Sequence, residues 1–353
     1  MALQKSIDFD DLSHTFVIGE AGSNWKHGSY EQDLKRAKQL IKIAAKAGCD
    51  AVKFQTFRPE LVYAKNAGKS NYLTKYGYRN NINEIFAHLA MPYQMIPELA
   101  KFCKKQKIIF MSTPFSIEDA KHINDFVNIH KIASYEINHI RLLEYLAKTK
   151  KPLLISTGAS NYKKIDFTVN LMKKMKHHNI GLMQCTAKYP SPLNAMNLSV
   201  IPQMKARYNV PLGLSDHSLD PIIAPILAIG FGATFIEKHF TLDKSLPGPD
   251  HAFALNPSEL ELMVNTIRNA DSAKGDGKKE ILDIENELWR FATRSIQATK
   301  KIRKGETLKE GYNFDVLRPG NRLRGLDPTF LNKVNGRKAS KDYQIGDGIT
   351  NYK

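Results

Sequence analysis

The sequence predicts an α/β fold, a (β/α)8 TIM barrel followed by a small β domain, and three observations predict it. Eight short runs rich in apolar and β-branched residues, each ending on a polar or charged side chain, recur through the first three-quarters of the chain. Segments with helical periodicity lie between them. After about residue 272 the composition turns to Gly and Lys, in AKGDGKKE. Regular alternation of buried strands with helices is the pattern of a parallel barrel, whose functional side chains stand at the C-terminal strand ends.

Taken in order, the runs are FVIGE (16–20), AVKFQ (51–55), IIFMST (108–113), HKIAS (130–134), LLIST (153–157), IGLMQC (180–185), PLGLS (211–215) and TFIEKH (234–239). Among the helices, Leu34, Ala37, Leu40, Ile41 and Ala44 lay one apolar stripe along 31–47, and Gly48 stops it. The Tyr- and Asn-rich stretch 57–92 reads as an extended loop over the barrel mouth. The barrel is assigned to 1–275 and a linker to 276–292. The β domain covers 293–353, with turn signals KGE at 304–306, RPG at 318–320 and IGDG at 345–348. At roughly 60 residues that domain is small for independent stability and is expected to dock on something.

An apolar fraction of 42% is ample for a core. Charge interrupts MALQKSIDFDDL, so neither a signal peptide nor a membrane span is read there, and a cytoplasmic protein is expected. Cys49, Cys103 and Cys185 are odd in number and lack CxxC spacing, which argues against a disulfide framework or a structural zinc site. The net charge of +17 invites a nucleic-acid reading. Its lysines and arginines are scattered over helices with no binding motif, however, and a positive field equally attracts an acidic, phosphorylated substrate.

The strand ends carry Glu20, Lys53, Gln55, Thr113, Lys131, Ser134, Ser156, Cys185, Ser215, Glu237 and His239. Such a ring is a polar site. Ser215-Asp216-His217 and Glu237-Lys238-His239 end two consecutive strands, so two imidazoles converge, and imidazole suits Mn, Fe, Co or Zn. Structural hydrogen bonding by either histidine is the alternative. A metal held there would polarise an aldehyde as a Lewis acid. Lys53 and Lys131, with Thr113, Ser134, Ser156 and Ser215, suit a small anion bearing phosphate and carboxylate. Pairing of a lysine with Glu136 or Glu20 as a structural ion pair is the rival reading.

IGEAGSN, VKFQT, STPF, KIASYEIN, STGAS, AKYPSPL, NLSVIP, GLSDHS, IEKHFTLDKSLPGPDHAFALNPSEL and LRPG stand in the order and spacing of the sialic acid (nonulosonic acid) synthases. The chain resembles that family over nearly its whole length. Within it, KIASYEINH, AKYP and PGPDHAFALNP resemble the branch that contains spore-coat polysaccharide synthase. The resemblance implies condensation of phosphoenolpyruvate with an N-acetylated amino sugar. It implies a C-terminal antifreeze-like (SAF) domain and a domain-swapped homodimer in which Arg318 reaches the partner's sugar. His217 and His239 would hold a divalent metal, usually Mn2+, with Mg2+ or Co2+ as alternatives. Lys53, Gln55, Thr113, Lys131, Ser134, Ser156 and Ser215 would hold phosphoenolpyruvate. Glu20, Tyr189, Asp250 and Phe115 would line the sugar site, and Glu20 or Glu237 would activate water.

The chain departs from the family pattern in places. Trp25 stands where the first motif has His, with His27 nearby, and Ala187 replaces a phosphate-contacting Asn, beside Lys188. Arg322, Leu323 and Arg324 follow the RPG motif, where Gly-Ile is common. These changes bear on the sugar more than on the reaction. Two rival functions remain at this level: a synthase of another 2-keto sugar acid that uses a phosphorylated aldose, and a non-catalytic carbohydrate-binding protein.

Overall fold

A computed structural model describes residues 9, 12–70, 73–74 and 79–353. Eight strands form one parallel sheet: β1 (Phe16–Gly22), β2 (Ala51–Thr56), β3 (Ile109–Pro114), β4 (His130–Ile132), β5 (Leu153–Ser156), β6 (Ile180–Cys185), β7 (Leu212–Asp216) and β8 (Ala233–His239). Their order is β3-β2-β1-β8-β7-β6-β5-β4, and β3 lies against β4, which closes a (β/α)8 barrel. Each strand coincides with one of the eight sequence runs to within two residues.

Two apolar layers follow from the strand alternation of period two. Phe16, Ile18, Ala51, Met111, Leu154, Met183 and Phe235 fill the barrel interior with Phe9 and Ile129. Val17, Val52, Phe110, Ile155, Leu182, Leu214 and Ile236 join the layer shared with the helices. Helix α1 (Tyr30–Ala47) shows how one such helix is specified. Ser29 caps it and forms a capping box with Gln32, and Gly48 ends it at φ 85°, a left-handed conformation that glycine adopts without a Cβ penalty. Ala37, Leu40, Ile41 and Ala44 are fully buried, and burying each Leu or Ile contributes about 1.5–3 kcal/mol.

The stretch 57–92 differs from the extended loop expected of it. It carries helices Pro59–Val62 and Ile82–Leu89, and Phe57, Leu73, Ile82, Ile85 and Leu89 form a small core of their own. The spacing of Ile82, Ile85 and Leu89 is helical, and the surrounding Tyr and Asn residues mask it. Phe115, just after β3, packs on this core with its ring 5.5 Å from that of Phe57.

The chain divides into two compact units, Met1–Gly275 and Asp276–Lys353. Within the second, a 3-10 turn (Asp283–Glu285) and a helix (Asn286–Ala292) precede an antiparallel pair, β9 (Ser295–Ala298) and β10 (Phe314–Leu317). Isolated bridges such as Ile302 to Tyr343 and Ala339 to Tyr352 knit the remainder. Its core is Ile296, Ala298, Ile302, Leu308, Phe314, Val334, Ala339, Tyr343 and Ile349. All three cysteines are free and buried. Among the described residues no helix is long and apolar enough to cross a membrane.

Candidate active site

Barrel register sets the ring of polar side chains. Glu20 stands opposite Lys53 on β2 and His239 on β8, Gln55 opposite Thr113, and Ser215 opposite both Cys185 and Glu237. Lys53 Nζ lies 2.6 Å from Glu20 Oε2 and 3.5 Å from Glu237 Oε1, and donates to Thr113 Oγ1 at 3.1 Å. Lys131 Nζ donates to Ser156 Oγ at 2.7 Å and lies 3.6 Å from Glu237 Oε2. Gln55 Nε2 donates to Glu20 Oε1, Ser215 Oγ to Glu237 Oε1, and the Gly158 N–H to Ser134 Oγ. Two ammonium groups and two carboxylates therefore share one buried cluster. The ion-pair reading of Lys53 with Glu20 is realised in this structure, alongside its contact with Thr113.

The two carboxyls are not equivalent. Burial pushes Glu20 up to about 7, against the pull of Lys53. Burial also works against the Glu237 carboxylate, but Lys131 and Lys53 outweigh it and hold it at about 2. Burial lowers Lys131, whereas for Lys53 the neighbouring Glu20 and Glu237 outweigh burial and raise it.

Beside this cluster the rings of His217 and His239 lie 5.5 Å apart, centroid to centroid. Burial lowers His217 to about 4 and His239 to about 3, so both imidazoles are neutral near pH 7. His217 Nδ1 donates to the Thr186 carbonyl at 2.9 Å, which leaves Nε2 as the ring's acceptor. The Tyr189 ring sits 4.1 Å from that of His217 and 6.2 Å from that of His239, with Phe253 completing the wall. Asp250 accepts from the Ser23 N–H and hydroxyl, and its carboxyl is pushed up by burial. Gly22 makes this approach possible. Its φ is +50°, and a β-carbon there would meet Asp250 Oδ2 at 2.7 Å.

Thus the barrel brings together Glu20, Lys53, Gln55, Thr113, Lys131, Ser134, Ser156, Ser215, Glu237, His217, His239, Tyr189 and Asp250, with Phe115 at the end of β3. Arg318 belongs to the second unit, exposed immediately after β10. Several buried polar atoms around these strand ends have no hydrogen-bond partner, among them Glu136 Oε2 and His239 Nδ1, and Glu237 Oε2 has only the Lys131 ammonium at 3.6 Å. Native interiors pair such atoms, so a cluster without partners marks a place where a ligand's polar groups belong.

Sequence reasoning missed Glu136 as a site residue. Its Oε2 is buried without a hydrogen-bond partner, burial raises the carboxyl to about 7, and Lys131 lies within its electrostatic reach. Its position in KIASYEIN, two residues after Ser134, was the available signal. Phe253 was missed as well. At the departures from the family pattern, Trp25 is buried in the core and His27 Nδ1 is taken by Arg36 at 2.7 Å. Ala187 offers no polar side chain, and Lys188 is exposed. Arg324 binds the carbonyls of Thr293 and Arg294, and Leu323 is exposed.

The model of the NeuB family matches residues 40–279. Spore coat polysaccharide biosynthesis protein SpsE of Bacillus subtilis is 38% identical over 350 residues, covering 95% of this chain and 92% of that protein. Its crystal structure superposes with a TM-score of 0.64 at 37% identity, over 95% of this chain and 94% of that one. Pseudaminic acid synthase of Campylobacter jejuni is 36% identical over 347 residues, 97% of each chain. N,N'-diacetyllegionaminic acid synthase of the same organism is 36% identical over 337 residues, 94% of this chain and 98% of that protein. This chain belongs to the NeuB family, that of the sialic and other nonulosonic acid synthases.

Proposed function

We propose that the chain condenses phosphoenolpyruvate with an open-chain 2-acetamido hexose to give a nonulosonic acid and phosphate. The observation that carries this reading is the cluster of Lys53 and Lys131 around Glu20 and Glu237, set beside a pair of neutral imidazoles. In the reaction C3 of phosphoenolpyruvate bonds to the aldehyde carbon, water adds at C2, and the tetrahedral intermediate expels phosphate by C–O cleavage. Lys53 and Lys131, with Gln55, Thr113, Ser134, Ser156 and Ser215, hold the phosphate and carboxylate and stabilise the negative charge that accumulates on them. Glu20, near 7, is the better matched of the two carboxyls for taking a proton from the attacking water, whereas Glu237, near 2, stays ionised. Tyr189, Phe115 and Asp250 line the sugar, aromatic faces against ring carbons and the carboxyl on hydroxyls.

The imidazole pair fits a divalent ion. Both rings are neutral, His239 Nδ1 has no hydrogen-bond partner, and His217 keeps Nε2 free of its bond to Thr186. Among the described residues no three His, Cys, Asp or Glu side chains group as a metal site, so His217 and His239 would hold the ion with solvent and substrate oxygens. Mn2+ is the ion proposed, with Mg2+ or Co2+ as alternatives. When bound, it polarises the aldehyde as a Lewis acid.

The same reading makes the active unit a domain-swapped homodimer working in the cytoplasm. Residues 293–353, an antifreeze-like (SAF) domain on the 276–292 linker, would cover the partner's site, with Arg318 on the acetamido group. Ile281, Ile284 and Leu288 are 53%, 89% and 63% exposed, and a run of large apolar side chains in the open favours an interface there. Dissociating and re-pairing Arg318→Ala with His217→Ala tests the swap, since random pairing of independent sites restores about a quarter of wild-type turnover. No recovery despite subunit exchange would refute it.

For the sugar, the similarity to pseudaminic and diacetyllegionaminic acid synthases favours a 2,4-diacetamido-trideoxy hexose over N-acetylmannosamine. The test is phosphate release from phosphoenolpyruvate and Mn2+ with each sugar in turn. Release only with a phosphorylated aldose would turn the assignment to another 2-keto sugar acid. Binding without release would make the chain a carbohydrate-binding protein.

A further inference from the structure

Strand alternation sends Glu237 and His239 of β8 into the mouth and Lys238, between them, to the opposite face. There the Lys238 ammonium is 1% exposed and surrounded by oxygen. It lies 2.6 Å from Asp216 Oδ2 and donates to the Ser218 carbonyl at 2.7 Å, the Asp220 carbonyl at 2.9 Å and Ser218 Oγ at 3.0 Å. Asp216 is its register partner on β7, and Asp216 Oδ1 also accepts the Ser218 N–H at 2.7 Å. Asp220 Oδ1 in turn accepts the N–H groups of Ile222 and Ile223. The segment 216–220 is therefore wrapped around one ammonium group, and His217 rides on it.

We infer that Lys238, through Asp216 and the carbonyls of Ser218 and Asp220, is a positioning residue that fixes His217 against His239 for divalent-ion binding. Charge alone does not explain it, because a buried ion pair is often replaceable by apolar side chains of similar volume without loss of stability. What an apolar residue cannot do is draw two carbonyls and a hydroxyl of the preceding loop onto the strand that carries the other imidazole. Glu237, His239 and Ser215 face the substrate side, so Lys238 touches neither substrate nor ion and acts only through the loop.

The inference rests on the reading of His217 and His239 as the ion's ligands, and the test separates the two. Mn2+ affinity is measured directly, by the electron paramagnetic resonance signal of free Mn2+, in the full-length wild type, His217→Ala, His239→Ala, Lys238→Met and the double variant Asp216→Asn/Lys238→Met. Phosphoenolpyruvate affinity is measured by calorimetry on the same proteins. Lys238→Met strands a buried carboxylate, whereas the double variant removes both charges and is the one expected to fold. The expected result is Mn2+ binding weakened tenfold or more in the folded Lys238 variants, with phosphoenolpyruvate affinity within about twofold of wild type. Unchanged Mn2+ affinity in the double variant, when the histidine variants have lost theirs, overturns the inference alone. Wild-type Mn2+ affinity in both histidine variants overturns the metal reading and this inference with it. A double variant that does not fold assigns the pair to stability, and also overturns it.

Discussion

Lys131→Met isolates the anion subsite. Lys53 already has a close carboxylate, Glu20 at 2.6 Å, whereas Lys131 meets Glu237 Oε2 only at 3.6 Å, has Glu136 no nearer than electrostatic range, and makes its short bond to the neutral Ser156 hydroxyl. Lys131 is thus the ammonium whose charge is least matched within the cluster, and the one with most to gain from an incoming anion. A hydrogen bond to a charged group contributes about 1.5–3 kcal/mol, which converts to a loss of roughly ten- to a hundred-and-fifty-fold in phosphoenolpyruvate affinity. Methionine fills similar volume, and Glu237 keeps Lys53, so the fold is expected to survive. Initial rates of phosphate release, with each substrate varied at saturation of the other, should show KM for phosphoenolpyruvate raised at least tenfold and KM for the sugar changed by less than about threefold. Equal increases for both substrates would refute the assignment of Lys131 to the anion.

Gly22→Ala should raise the sugar KM and lower Tm by several degrees while sparing phosphoenolpyruvate, because it combines a left-handed backbone, costing about 1–2 kcal/mol, with a β-carbon 2.7 Å from Asp250 Oδ2; an unaltered sugar KM would remove Asp250 from the sugar site. Glu136→Gln, measured as kcat and KM against pH, should flatten any ionisation near 7 that remains in Glu20→Gln, and no difference between the single and double variants would leave Glu136 outside the reaction. Acidification from pH 6.5 to 5.0 should lower Tm in metal-free protein. His130, His217, His239 and His251 are held at about 3 to 4, below the ordinary 6.5, so stability present above 6.5 is lost as pH falls toward those values. Glu20 and Glu136, held at about 7, act in the opposite direction, their stabilising effect being full near 4.5 and lost as pH rises through 7. Each group is worth up to about 2 kcal/mol over that range, so four imidazoles outweigh two carboxyls by a few kcal/mol, and calorimetry showing a flat or rising Tm would contradict this.

The strands were legible because each parallel strand, buried on both faces, must be a compact apolar run, and the run ends where the polar mouth begins. HKIAS overran β4 by two residues, since Ser134 already opens a 3-10 turn. The helix Ile82–Leu89 was hidden because its apolar stripe is short and its neighbours are Tyr and Asn. Which lysine pairs with which carboxylate was not legible at all. Strand register places Glu20 on Lys53, whereas Glu136 ends the 3-10 turn after β4, where its Oε2 is left without a hydrogen-bond partner.

Strand-end motifs contain more information than a ring of polar residues conveys. In Ser215-Asp216-His217 and Glu237-Lys238-His239 the outer members face the mouth, while the middle members meet each other on the opposite side at 2.6 Å. Period-two alternation dictates this from the sequence alone, once both triplets are placed at strand ends. A charged residue between two mouth-facing residues must then find a partner in the helical layer, where an isolated charge would cost several kcal/mol. The only opposite charge at the same register on the neighbouring strand is Asp216. Each triplet therefore encodes a ligand-facing half and a supporting half, and the supporting halves tie β7 to β8 where the two imidazoles must meet.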